Sequence, residues 1–302
     1  MDGTGYAGVS CVWGIVSTDC KAWCALCSLC ICIYDVYRSP QIRFRDVANV
    51  FRNPAPLLIV MALLHLVIPG IVCGVGTLAF PGNPDLVTGM VLEFAVPTAV
   101  SALMWVMIYD GNLAVSLALV VVDTVLAPLI IPITLSIFVG SKVHIDMTHM
   151  ISQLVFMVAL PAIVAMTLNQ VSGDRVRETW PSRLAPFSKI ALMFVVASNS
   201  SGVAPYVRHM NGQRILVAVF MFLLAAGGYG AGLVIARLFH QDRQTQVSMT
   251  YGAGMRNISA GAVIATTSFP GEAIFPVLIA TLFQQMLAAL YGKGLERASR
   301  KE

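Results

Sequence analysis

Charge is scarce in this chain. Of its 302 residues only 19 are basic and 15 acidic, 11% of the whole, where ordinary soluble domains carry about a quarter. So few charges cannot cover the surface of a globule of this size, which excludes a water-soluble enzyme and a nucleic-acid binder. The low hydrophobicity of disordered chains is missing as well. There is no phosphate loop, no H-E-x-x-H and no G-x-S-x-G, and no nucleophile–base pair or metal set is visible. The reading is therefore of a non-enzyme without a cofactor. What is present is apolar: 57% of residues are hydrophobic and the mean hydropathy is +0.79. Such a chain dissolves in lipid. The net charge of +4 fits basic cytoplasmic loops better than an acidic partner.

A bilayer core of roughly 30 Å needs about 20 apolar residues per helix. Stretches of that kind lie near 10–34, 55–80, 86–109, 112–139, 147–170, 186–206, 215–238, 244–268 and 272–292. The expected fold is all-α, a polytopic membrane protein of about nine spans. Asn53-Pro54 and Asn112 read as helix starts. Basic residues orient the bundle. Arg38, Arg43, Arg45, Arg52, Arg175, Arg177, Arg183, Lys189, Arg237, Arg243, Lys293, Arg297, Arg300 and Lys301 fall on one side. Only Lys21, Lys142, Arg208 and Arg214 fall on the other. The positive-inside rule then places the N-terminus outside and the C-terminus in the cytoplasm, across the cytoplasmic membrane.

Under this topology the triplets 55–139 and 215–292 run in opposite directions. Each has an interrupted middle span, broken at Pro97 in the first and at Gly252 and Gly254 in the second. Paired, interrupted spans at matching places point to an inverted-repeat transporter with its site at the midplane. The competing reading is that Gly and Pro are simply common in membrane helices.

Ionisable residues inside spans are few: His65, Glu93, Asp123 and Arg256. A charge at the bilayer centre costs about 3 kcal/mol or more, so such residues face protein or water and mark a pathway. Arg256 offers five donors suited to a carboxylate or sulfonate, with Asn257 and Ser259 beside it. The alternative is a permanent structural lock between Arg256 and Asp123 or Glu93. Two acids against one arginine leave one carboxylate over, a candidate proton carrier. His65 reads either as a titrating group or as a satisfied packing residue. Asn199, within Ser198–Ser201, and Gln284 and Gln285 either line a cavity or bond between helices. His144, His149, His209 and His240 scatter near span ends and receive no role.

The N-terminal forty residues differ from the rest, with Cys11, Cys20, Cys24, Cys27, Cys30 and Cys32 on one hydrophobic segment. Their overlapping C-x-x-C spacings resemble metal or redox motifs. Without a histidine or second cluster, however, they read as inert or acylated membrane cysteines or a disturbed gene start. Asp19, Lys21 and Asp35 interrupt the segment, and it lacks the form of a secretory signal.

The stretch Tyr251–Ser259 (YGAGMRNIS), followed by AGAVIA, resembles the unwound crossover helix of the bile acid:sodium symporter family. So does Gly111–Ser116 (GNLAVS), running on through Thr124 to Ala127-Pro128 and Pro132. Pro97 stands where that family has a crossover proline, and Ile42–Val47 (IRFRDV) resembles its basic linker. The resemblance covers about residues 40–295. It implies a panel-plus-core fold with two crossing broken helices, and a substrate that is a small organic anion, usually carried with sodium. It also implies a division into a cysteine-rich segment 1–40, a transport domain 41–295 and a tail 296–302.

At the family's sodium positions this sequence departs. Gly252 replaces a glutamate, Arg256 a glutamine, Ala102-Leu103 a serine–asparagine pair and Val120 a threonine. Met255, Asn257, Ser116 and Thr124 remain as matching contributors. Hard cations want several oxygen ligands, and a guanidinium repels sodium. The expectation is a sodium-independent or proton-linked carrier, with Glu93 and Asp123 as proton candidates. A receptor that kept the fold and binds the anion without transport is the other class.

Overall fold

The computed structural model describes residues 54–140, 147–160, 206, 208–269 and 271–299, with isolated helical positions at 163, 164 and 167. Among the described residues it is all-helical, and one isolated β-bridge is present. Helix α1 spans Ala55–Ala79, α2 Pro84–Ala95, α3 Ala102–Ile108 and α4 Leu113–Phe138. Helix α5 covers Met147–Leu154 and runs on through a π-helical turn at Val155–Ala159. Then follow α6 at Gly212–Leu238, α7 at Arg243–Gly254, α8 at Ile258–Ser268 and α9 at Gly271–Ser299. The expected spans at 10–34 and 186–206, Asn199 and the cysteine cluster lie outside the described residues.

Four of these helices are long and apolar enough to cross a membrane: α1, α4, α6 and most of α9. Local chemistry explains their starts. The side chains of Asn112, Asn211 and Asp242 accept from Val115, Arg214 and Thr245 N–H, capping α4, α6 and α7. Helix α1 opens with Pro54 at the cap position and a further proline in its first turn. Helix α9 continues to Ser299, past the apolar stretch that ends near residue 292. Helical geometry outlasts hydrophobicity there because Lys293, Glu296 and Arg297 are good helix formers. Residues 296–299, expected as tail, are thus helical.

The two halves repeat one order: a long helix, a broken helix, a long helix. In the first, α1 and α4 flank the pair α2/α3. In the second, α6 and α9 flank α7/α8. Helix α7 packs on α6, α4 and α3, while α9 packs on α2, α6 and α8. Leu126, Leu129, Ile133 and Ile137 point outward from α4 at helical spacing, while Ile131 and Leu135 on its other face are fully buried. Apolar residues on both faces are what a lipid-solvated helix carries.

One expectation needs correction. The glycines of the second broken helix were expected to unwind it, yet α7 remains helical through Gly252 and Gly254 and ends only there. Their role is close approach. A Cβ at Gly252 would overlap the Leu119 side chain of α4, and one at Gly254 the buried ring of Tyr229 on α6.

An aromatic cluster joins the two halves. Trp105 of α3 stacks with Tyr109 at 6.3 Å and with Tyr251 of α7 at 6.1 Å. Tyr229 meets Tyr251 edge-on and stacks on Tyr291 of α9. The hydroxyls of Tyr251, Tyr229 and Tyr291 donate to the carbonyls of Ala288, Gln284 and Ala226. No hydroxyl in that trio is left without an acceptor.

Overpacking a filled interior costs about 1–3 kcal/mol. Gly254→Ala is therefore expected to lower the melting temperature of the purified protein in detergent. Gly74→Ala, on α1 with nothing within 4 Å of the added carbon, should leave it unchanged or raise it. Equal effects of the two substitutions would refute the close-approach account.

Candidate functional site

The site begins with two helix breaks. Val96 precedes Pro97, and the proline ring disfavours helical geometry in the residue before it. Val96 is accordingly extended, with φ −65° and ψ 153°, and α2 stops at Ala95. In the second half Met255 is extended at φ −102°, ψ 122°. The chain restarts at Asn257, whose side-chain oxygen accepts from Ala260 N–H at 3.3 Å and caps α8.

Each break exposes backbone groups that lipid cannot satisfy. They satisfy one another. Asn257 N–H donates to the Pro97 carbonyl at 2.8 Å and Ala99 N–H to the Met255 carbonyl at 3.0 Å. Thr98 and Arg256 thereby form a short antiparallel bridge. Pro97, Met255, Arg256 and Asn257 are all brought together here.

Asp123, from the middle of α4, is fully buried against this bridge. Its Oδ2 accepts from Thr98 N–H at 2.7 Å and lies 2.9 Å from the Thr98 hydroxyl. That hydroxyl is also 3.1 Å from the Gly252 carbonyl. The other carboxylate oxygen, Oδ1, lies 2.8 Å from His65 Nε2. Thr98 was not singled out from the sequence; the available signal was its place directly after Pro97, where a freed N–H and a hydroxyl sit side by side.

His65 is held by a local irregularity. Pro69 has no N–H for the carbonyl four residues back, and its ring crowds that carbonyl. The carbonyl is that of His65. Helix α1 widens there into a π-helical turn at Leu63–Val67, with Ile68 N–H reaching back to Leu63. Such turns recur at functional sites. His65 is 6% exposed, and its Nδ1 is buried without a hydrogen-bond partner among the described residues. It is hydrogen-bonded to an acid rather than merely packed.

Arg256 is 3% exposed. Its backbone N–H donates to Gln284 Oε1 at 3.0 Å, and its Nη2 donates to the Ala253 carbonyl at 3.3 Å. Nη1 is buried with no hydrogen-bond partner among the described residues. Among the described residues neither Asp123 nor Glu93 forms an ion pair with it, although both charges act on it through space. A direct ion-pair lock is thus not seen among the described residues, and Asp123 is engaged by His65 and Thr98 instead.

Glu93 sits about one turn before the first break, 2% exposed, with Oε2 unpartnered among the described residues. A Cβ added at Gly261 of α8 would lie 3.6 Å from that oxygen and 3.3 Å from Val96. The carboxyl group therefore rests on the second broken helix in apolar surroundings. The remaining residues are less central. Ser116 Oγ is buried without a hydrogen-bond partner among the described residues, about two turns from Asp123 along α4. Thr124 is 9% exposed, and Ser259 lies in the first turn of α8, half-buried. Gln285 points away from Gln284 and accepts from Trp105 Nε1 at 3.0 Å.

Long apolar helices flanking two broken ones, with buried ionisable groups where the breaks meet, are the build of a multi-pass membrane transporter. The chain belongs to the SBF-like CPA transporter family, whose profile matches residues 27–297. It is 40% identical over 263 residues to the uncharacterized protein YbaS of Bacillus subtilis (strain 168), covering 87% of this chain and 86% of that one. It is 21% identical to the uncharacterized sodium-dependent transporter YocS of the same organism, over 83% and 78%. To the probable sodium/metabolite cotransporter BASS3, chloroplastic, of Oryza sativa subsp. japonica it is 23% identical, over 84% and 61%. The protein is a transporter rather than an enzyme.

Losing a buried hydrogen-bonding hydroxyl costs about 1–3 kcal/mol. Thr98→Val should lower the melting temperature in detergent, while Thr98→Ser should preserve it. A valine variant as stable as the parent would show that the hydroxyl does not hold the break.

Proposed function

We propose that this protein is a secondary transporter that moves a small organic anion across the cytoplasmic membrane by alternating access. Its N-terminus is outside and its C-terminus cytoplasmic. Its two long–broken–long triplets act as inverted repeats within about nine spans, and the broken helices cross at their paired breaks. The observation that carries the anion assignment is Arg256. It is a buried guanidinium with one nitrogen unpartnered among the described residues, at the point where both helices are interrupted. A buried donor of this kind is costly unless a ligand meets it. A carboxylate or sulfonate supplies the matching acceptor.

The same residue argues against sodium as the driving ion. The end of a half-helix presents carbonyls that can coordinate a cation. At the end of α7 the Gly252 carbonyl faces the Thr98 hydroxyl and the Ala253 carbonyl accepts from Arg256. A permanent positive charge therefore stands at the negative end of the helix dipole. Gly252, Ala102 and Val120 offer no side-chain oxygen, and Asn257 is engaged as a cap. The coupling ion we propose is the proton, with Glu93 and Asp123 among the groups able to carry or balance it. Two relatives have sodium in their names, so sodium drive is the competing outcome.

Two measurements decide. Anion uptake into vesicles of the purified protein, at constant pH and voltage, should not rise with an imposed sodium gradient; a steep rise overturns the sodium-independent reading. Arg256→Lys keeps the charge but loses the planar fork, so uptake should weaken tenfold or more while the protein still folds. Arg256→Ala should abolish uptake. Normal uptake by the Arg256→Ala, Asp123→Ala double variant would show that Arg256 does not anchor the anion.

A further inference from the structure

We infer that His65, backed by Asp123 and wired through Thr98 to the paired breaks, is the proton-binding site of this protein. The coupling role rests on the transporter reading above; proton binding itself does not. Three observations converge. His65 is the only basic side chain on α1, carried on the π-helical turn that Pro69 imposes. Its Nε2 lies 2.8 Å from Asp123 Oδ1, so the Nε2–H donates to a buried carboxylate. Its Nδ1 is buried with no hydrogen-bond partner among the described residues, a bare lone pair on which a proton can be placed.

Protonation adds a hydrogen to Nδ1 and turns the neutral imidazole into imidazolium; no other bond forms or breaks. The new N–H has no acceptor in the present packing, and an unsatisfied buried donor costs about 1–3 kcal/mol or more when charged. Proton binding therefore favours a rearranged neighbourhood over this one. The carboxylate that stabilises the imidazolium is the same group whose other oxygen holds Thr98 N–H and faces its hydroxyl. A rearrangement at His65 thus reaches the first break directly, and the second through the Gly252 carbonyl.

The charges around the pair are few. Asp123 is the only charged residue on α4, and α1 carries none besides His65. From the second break Arg256 acts on Asp123, and from α2 Glu93 acts on Arg256. Asp85 opens α2 and Asp242 and Arg243 begin α7, each about three turns or more from its break. The described side chains of α5 include no charged one. With Glu93 counted as its neutral acid, Arg256 and Asp123 cancel. A monoanion arriving alone leaves the buried site at −1, which the membrane interior penalises. A monoanion arriving with one proton on His65 leaves it at zero. For a neutral Glu93 and a charged Arg256–Asp123 pair, this corresponds to one proton per monoanion.

The test needs no substrate. The full chain is labelled with 15N at histidine, placed in lipid nanodiscs and titrated over about pH 5 to 9, where histidines change charge. The His65 resonance is identified by its loss in His65→Gln. We expect Nδ1 to pass reversibly from a bare to a protonated nitrogen as the pH falls. In Asp123→Asn the proton affinity of that imidazole should fall at least tenfold, and in Glu93→Gln it should change less than threefold. If Asp123→Asn does not fold, Thr98→Val, which removes one donor from the same carboxylate, should shift the affinity by about fivefold. An imidazole that keeps one protonation state throughout overturns the inference. So does a titration indifferent to Asp123 and Thr98, or one governed by Glu93. Titration without anion uptake leaves the proton site standing and removes the transporter reading. Uptake with a silent His65 removes the proton site alone.

Discussion

A peptide group that leaves helical geometry inside a bilayer has no water to turn to, and this protein interrupts two helices where they are buried. The rest of the site depends on how those interruptions are reconciled. Two hydrogen bonds between the breaks, from Asn257 to Pro97 and from Ala99 to Met255, remove part of the cost. Thr98 N–H has no backbone partner in that pairing, and a carboxylate from a third helix takes it. The position of Asp123 on α4 is thereby fixed by a need of α2 and α3, and the position of His65 on α1 by a need of Asp123. Four segments of chain, the two breaks, α4 and α1, meet because two breaks must be satisfied.

Electrostatics follows from the same geometry. The last carbonyls of α7 carry the negative end of a helix dipole into a place of low dielectric. The chain answers with its own hydroxyl and guanidinium. A positive group supplied by the sequence is permanent and travels nowhere, unlike an ion that binds and leaves. Among the described residues, the ionisable side chains that keep a buried atom without a hydrogen-bond partner are Glu93 at Oε2, His65 at Nδ1 and Arg256 at Nη1.

Much of this was legible in the sequence, for reasons that can be named. Proline acts locally, so Pro97 announced the first break to within a residue. Scarcity of charge made His65, Glu93, Asp123 and Arg256 conspicuous, and all four are buried near the two breaks. Glycine was misread, because it serves both unwinding and close approach, and only the neighbouring rings and side chains distinguish the two at Gly252 and Gly254. Pairing was not legible either. Helices apolar all round carry little signal of their rotation about their own axes, so Asp123 could be placed on a helix but not turned toward His65 rather than Arg256. Thr98 escaped notice because a threonine is ordinary until a broken backbone lies next to it.

The aromatic cluster has an optical consequence. Trp105 rides on the first broken helix and lies in near-parallel contact with Tyr251 of the second, the planes 13° apart, while its indole N–H is tied to Gln285 of α9. Indole emission is sensitive to stacking and to the polarity around the ring. Any sliding of the two broken helices past one another pulls Trp105 off its tyrosine or breaks its bond to the amide, and either event changes its colour and yield. Trp105 is one of four tryptophans in the chain, and with the other three replaced it is a native fluorophore that reads the relative position of the two broken helices without an added label.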